Sequence, residues 1–217
     1  MPFIDQWARL AISFEFDSLE QSYSLSARTL MAKVQELESN FNELVGQADE
    51  EHRSEYADVL QDEHQSLTDD FPKFQRFSHF ILAYSLTEAT LNRYCRYAQK
   101  RYGFKLSLKD LSGQGIERVR NYLIKVVGIS SDQFDLYWSD IKLAADIRNV
   151  VTHTGGELTF ENSAHLKLAK RLGGVETVKL EGIDELGGHI RLTDDYVIGF
   201  IRTARIFLSS LGAVELS

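Results

Sequence analysis

Proline occurs in this chain of 217 residues only at positions 2 and 72. Elsewhere no ring removes the backbone donor that a helix needs, so long uninterrupted helices are open to it. From Ile4 to Gln65 there is a single glycine, Gly46, and apolar residues recur at helical spacing, as in Leu30, Val34, Leu37, Phe41 and Leu44. The spacing predicts two long helices, with breaks at the polar clusters Ser22–Ser26 and Gly46–Glu51. Phe71-Pro72 then predicts a boundary, because a residue before proline is pushed out of the helical region while proline suits a first helical turn.

The helix that starts near Pro72 is expected to run to about Arg101, with Phe77, Ile81, Tyr84, Glu88, Leu91 and Cys95 on or near one stripe and Gly103 as its stop. A shorter helix over 116–123 lies between Gly113–Gly115 and Gly128. Ser130-Ser131-Asp132 offers caps for another, which includes Leu136, Ile141, Ala145 and Ile147 and ends at Gly155-Gly156. Beyond Glu157, alternation in Val175–Glu181 and His189–Leu192 predicts a hairpin about a turn at Leu186-Gly187-Gly188. Thr193 or Asp194 can cap a last helix from about Asp195 to Leu211, stopped by Gly212.

The fold class expected is therefore mainly α: an acidic helical N-terminal extension (1–70), a helical core (71–157), and a small hairpin with a C-terminal helix packing on that core (158–217). With 43% hydrophobic and 26% charged residues, the chain can build an ordinary core, which excludes disordered and collagen-like classes. Cys95 is the only cysteine, so an intramolecular disulfide and a zinc site built from cysteine pairs are excluded, and a reducing compartment is the simpler expectation. The opening Met1-Pro2-Phe3-Ile4-Asp5 lacks a signal-peptide pattern and no apolar run approaches the ~20 residues that span a bilayer. A soluble cytoplasmic protein without a membrane partner is expected.

Charge is unevenly spread. Residues 1–75 carry 5 basic and 16 acidic side chains, residues 76–130 carry 10 and 3, and residues 131–217 carry 9 and 13. A basic segment inside an acidic chain is either the footprint of phosphate binding or a solvated cationic face. Arg93, Arg96, Lys100 and Arg101, with Tyr94 and Tyr97 between them, carry the same two readings: an RNA-backbone contact with base stacking, or solvated charge. The acidic first third is unsuited to nucleic acid, and either covers the basic part or faces a partner.

Chemistry concentrates in Arg148-Asn149-Val150-Val151-Thr152-His153, at a helix end before Gly155-Gly156. Asn149 and His153 stand four apart and share a face, while Arg148 lies about 100° round from Asn149 and must reach with its long side chain. A guanidinium, an amide and an imidazole together suit a phosphodiester: the first forks onto phosphate oxygens, the second orients, and the third moves protons near neutral pH. A surface arginine beside a capping histidine would give the same pattern. Tyr84, Glu88 and Asn92, four apart among apolar residues, need polar partners, and Glu88 is expected to pair either with Arg148 or with a neighbouring helix. Asp49-Glu50-Glu51-His52 and Asp62-Glu63-His64 have spacings that fit no metal site, so no metal and no cofactor are expected.

Arg148-Asn149 followed by His153 resembles the R-x(4–6)-H motif of the HEPN superfamily, where a polar residue, often Asn, follows the arginine and the motif ends a late helix of a small helical bundle. Tyr84-Ser-Leu-Thr-Glu88-Ala-Thr-Leu-Asn92-Arg-Tyr-Cys95 is similar to the earlier helix of that bundle, and Gly113 to Leu123 to the segment before the motif helix. The likeness covers roughly residues 72–156.

It implies a metal-independent RNA endonuclease, commonly a toxin or an antiviral effector, working as a homodimer with both motifs on one cleft, with an antitoxin or a defence-system protein as a further partner. His153 is then the general acid or base for attack of a ribose 2′-hydroxyl, Arg148 stabilises the phosphorane, Asn149 positions phosphate or imidazole, and Glu88 supports Arg148. Because Arg148 and His153 lie at a helix end, alanine at either is expected to leave the fold intact. Some members of the superfamily are non-catalytic dimerisation or binding modules, which is the alternative.

Overall fold

The computed structural model of the chain describes residues 2–47 and 61–215. Helix α1, Gln6–Gln47, is continuous over 42 residues. The break expected at Ser22–Ser26 is absent: Ser24 Oγ donates to the Glu20 carbonyl at 2.9 Å and Thr29 Oγ1 to the Leu25 carbonyl at 3.0 Å, so these hydroxyls bond within the helix instead of capping a new one. Ile12, Phe16, Leu19 and Tyr23 bury one stripe of its first half, whereas Leu30, Val34, Leu37 and Phe41 are only half-buried. At the second expected break, α1 is still helical at Gln47, and residues 48–51 lie outside the described residues.

Residues 61–65 are helical and lead through a π turn, Ser66–Asp70, directly into α2, Phe71–Tyr102. Helix α2 thus begins where Pro72 predicts, yet Phe71 keeps helical angles (φ −65°, ψ −44°) and donates its N–H to the Ser66 carbonyl five residues back. The wide turn spares the preceding carbonyls from the pyrrolidine ring, so the chain passes proline without reversing.

Gly103 closes α2 in the left-handed conformation (φ 69°). Helix α3 spans Gly115–Lys125 and α4 spans Ser131–Thr154, with the Ser130 hydroxyl accepting from the Asp132 N–H as a cap. Strand β1, Glu157–Thr159, and helix α5, Ser163–Leu172, follow, neither of them expected from the sequence. Strands β2, Val178–Glu181, and β3, Gly187–Leu192, form the expected antiparallel hairpin, and β1 joins the other edge of β3 in a sheet ordered β1-β3-β2.

Gly187 and Gly188 are strand residues rather than the predicted turn, which is made instead by residues 182–186 with Asp184 Oδ1 accepting from the N–H groups of Leu186 and Gly187. Arg191 anchors the sheet: its guanidinium forks onto Asp69 at the π turn, and its Nε reaches Glu181 at 2.7 Å.

Helix α6, Asp194–Gly212, packs against α1, α2 and α4 and is the centre of the core. Phe200 meets Phe80, and Phe207 meets Phe134 and Tyr137, in edge-on or tilted ring contacts. The N-terminal segment is pinned beside it, with the Phe3 and Ile4 N–H groups donating to the carbonyls of Val214 and Gly212. The fold is therefore mainly α with one small antiparallel sheet, and none of the described helices is long and apolar enough to cross a membrane. Cys95 is buried, and desolvation pushes its thiol up to about 12, as expected for a small apolar filler.

Buried tyrosines make the fold sensitive to alkali. Burial raises the pKa of Tyr23, Tyr94 and Tyr196, and that of Tyr84 to about 12, above the ordinary phenol value near 10. A folded state that holds these protons more tightly than the unfolded chain loses stability as pH rises above 10. Urea unfolding at pH 8 and pH 11 should show a lower midpoint at the higher pH, and equal midpoints would contradict the burial of these hydroxyls.

Candidate functional site

Helices α2 and α4 run antiparallel: Arg148 meets Glu88, and eight residues on, Gly156 is so close to Phe77 that a Cβ there would lie 3.0 Å from the ring. Arg148 Nη2 donates to Glu88 Oε2 at 3.2 Å, and its guanidinium carbon lies 4.6 Å from the centre of the Tyr84 ring. Of the two partners the sequence left open for Glu88, the structure takes Arg148. Asn92 Nδ2 donates to the Glu88 carbonyl at 2.9 Å. The Glu88 carboxylate also sits beside Gly115 at the start of α3, where the positive end of that helix dipole favours an anion. The Tyr84 hydroxyl is raised to about 12, first by burial and then by the Glu88 charge.

Arg148 thus ties α4 to α2, and its partner Glu88 lies beside the start of α3. Its side chain is 26% exposed and its Nε is buried without a hydrogen-bond partner. This changes the expectation that alanine here leaves the fold untouched: Arg148→Ala strands a part-buried carboxylate and empties the space over Tyr84. A loss of about 1–2 kcal/mol is expected from the charged hydrogen bond and the ring contact. Denaturant titration of Arg148→Ala beside Glu88→Gln and the double variant measures it, and a coupling near zero would refute it.

Asn149 and His153 face elsewhere. Five residues separate Arg148 from His153, about 140° of helical rotation, so the arginine reaches α2 while the histidine points to the opposite flank of α4. There, Asn149 and His153 line a cleft of about 610 Å³ whose other wall is α5, with His165, Lys167 and Arg171. The three motif residues are therefore not brought around one point within a protomer: two share the cleft and the third lies behind it.

The α5 wall is cationic. Arg171 Nη1 bonds Asp146 at 2.6 Å across the cleft, and Lys167 has no ion-pair partner among the described residues. The Nδ1 of His165 accepts the Thr159 N–H at 3.1 Å and lies 3.3 Å from the Thr159 hydroxyl. Helix α5 forms because Asn162 caps it, its side chain accepting from the Ala164 N–H, and because Leu168, Ala169 and Leu172 bury its inner face. His165, Lys167 and Arg171 were not singled out in the sequence. The signal available was Asn162-Ser163, a helix cap, ten residues before Gly173-Gly174.

The basic stretch on α2 lies apart from this cleft. Arg93 bonds Thr90 Oγ1 at 3.1 Å and approaches Glu15 of α1 at 3.6 Å, while Arg96, Lys100 and Arg101 are exposed. Lys100 stands twelve residues beyond Glu88, about 18 Å along the axis and toward the end of the bundle opposite Gly156.

Asp49 to His52 lie outside the described residues, and His64 is 3.6 Å from Glu38. No three His, Cys, Asp or Glu side chains cluster in a ligand-like group among the described residues. Comparison with known protein families finds none that matches this chain, and neither a curated protein nor a solved structure matches it.

Proposed function

We propose that this chain is a metal-independent RNA endonuclease of HEPN type, a cytoplasmic toxin or defence effector that cleaves by attack of a ribose 2′-hydroxyl on the adjacent phosphorus. The observation that carries the reading is the cleft at the end of α4, where Asn149 and His153 face the cationic wall of α5. An imidazole placed among amide and cationic groups is what this reaction needs: His153 takes the 2′-hydroxyl proton, Asn149 orients the phosphate, and positive charge stabilises the phosphorane. Exposed Arg96, Lys100 and Arg101, with Arg93 held nearer α1, would guide flanking backbone from a distance.

Because Arg148 is engaged by Glu88 and Tyr84 behind the cleft, charge for the phosphorane comes either from α5 or from a second copy of the chain. The homodimer belongs to this proposal, as does neutralisation by an antitoxin or control by a defence-system protein. Sedimentation at micromolar concentration should show a dimer, and a monomer that cleaves RNA would remove the composite site.

The test is purified protein on single-stranded RNA in the presence of EDTA. Cleavage leaving 2′,3′-cyclic phosphate ends, with the all-DNA analogue intact, is the expected result. Loss of activity in EDTA would overturn the mechanism.

The second reading is a non-catalytic HEPN module that binds or dimerises. It is favoured by one fact, that the motif arginine is committed to Glu88 and turned away from His153.

A further inference from the structure

The hydrogen bond between β1 and α5 has a chemical consequence. Thr159 is in β1, and its N–H can bond His165 only if Nδ1 of the ring carries no proton. In the neutral ring the proton is then on Nε2, which is a donor. Protonating Nδ1 would set N–H against N–H and forfeit the bond. His153 has no such partner among the described residues. The two imidazoles of one cleft are thereby unlike: the sheet edge holds His165 with Nε2–H as a donor, and no described residue holds His153.

We infer that His165 Nε2–H and Lys167 form a subsite for a backbone phosphate of single-stranded RNA in the cleft lined by His153, with His165 donating to a non-bridging phosphate oxygen. The inference rests on the proposed RNA-cleaving function and adds residues that lie outside the Arg148-to-His153 motif. Lys167 supplies the uncommitted charge of the α5 wall, since Arg171 is already bonded to Asp146, whose carboxylate it neutralises.

In the reaction, the bond from the 2′-oxygen to phosphorus forms as the bond from phosphorus to the 5′-oxygen breaks. The 2′-hydroxyl proton passes to His153, which releases it to solvent, and the departing 5′-oxygen takes a proton from water. Charge gathers on the non-bridging oxygens in the phosphorane, where a preset donor is most effective. The role is that of an oxyanion-hole donor, supplied by a side chain that the sheet edge holds in one tautomer.

The test uses the full chain and two probes: a short 2′-O-methyl RNA, which lacks the hydroxyl proton and cannot be cleaved by this route, and the matching unmodified RNA. Nitrogen-15 NMR of the histidine rings should show His165 protonated at Nε2, and the 2′-O-methyl RNA should shift that resonance. Lys167→Ala should weaken binding of this probe about tenfold and reduce its salt dependence. On unmodified RNA, His165→Ala should lower kcat about 10²-fold. His165→Gln should recover part of it, because the glutamine amide can donate from near the Nε2 position, which a merely structural role would not predict.

Binding that leaves the His165 resonance unmoved overturns the inference, whatever happens to unmodified RNA. A shifted His165 with unmodified RNA left whole keeps the subsite and removes the nuclease reading. No binding of either probe removes both.

Discussion

His153→Ala should reduce cleavage of single-stranded RNA by about 10²–10⁴-fold, the usual contribution of a positioned proton-transfer group. The side chain is exposed at the last turn of α4, with no hydrogen bond to any other described residue, so thermal unfolding of the variant should coincide with that of the wild type. Arg148→Ala cannot serve as an equivalent control, because Glu88 and Tyr84 lose their partner and α4 loses a tie to α2. The informative comparison is therefore His153→Ala measured for both activity and stability. Undiminished cleavage by that variant would end the proposed mechanism and leave the binding-module reading.

The second large effect concerns stability. A methyl group at Gly187 would stand well inside contact distance of the Leu158 carbonyl oxygen and against the Thr159 backbone, so β1 must separate from β3 for it to fit. Backbone cannot yield as a flexible side chain can, and overpacking of this kind costs about 3 kcal/mol or more. Gly187→Ala is thus expected to lower the Tm by about 6–12 °C. The same change should weaken the cleft, since Thr159 in β1 holds His165, and RNA binding should fall with it. A variant as stable as wild type would show that β1 can be displaced without cost.

These two positions also show what the sequence could and could not disclose. Helices α2, α3 and α4 were readable because Pro72, Gly103, the Gly113–Gly115 pair, Ser130 and Gly155 mark local backbone requirements at their ends. The partnership of Glu88 with Arg148 was one of two options that spacing left open, since a polar stripe among buried residues must find a partner. Gly187 and Gly188 were misplaced into a turn: glycine signals backbone freedom equally for a turn and for close approach of another strand, and only the tertiary contact decides between them. The false break at Ser22–Ser26 has a similar origin, since a serine can cap a helix or bond back within one.

Half of the site was legible. Asn149 and His153 share a face by simple periodicity, and they do share the cleft. The opposite wall was not, because α5 has only ten residues: Leu168, Ala169 and Leu172 share one face and Lys167, Lys170 and Arg171 the other, too short a run for the periodicity to stand out between two strands. Without α5 there was no reason to single out His165 or Lys167.

The position of α6 has a consequence for folding. The buried stripe of α1 packs both on α2 and on residues 194–212, the latter separated from it by the whole intervening chain. Without that late helix, Phe16, Leu19 and Tyr23 are covered only in part, by α2, and closing so long a loop is slow. A chain that has not yet docked α6 would therefore expose apolar surface, and such intermediates are prone to aggregation.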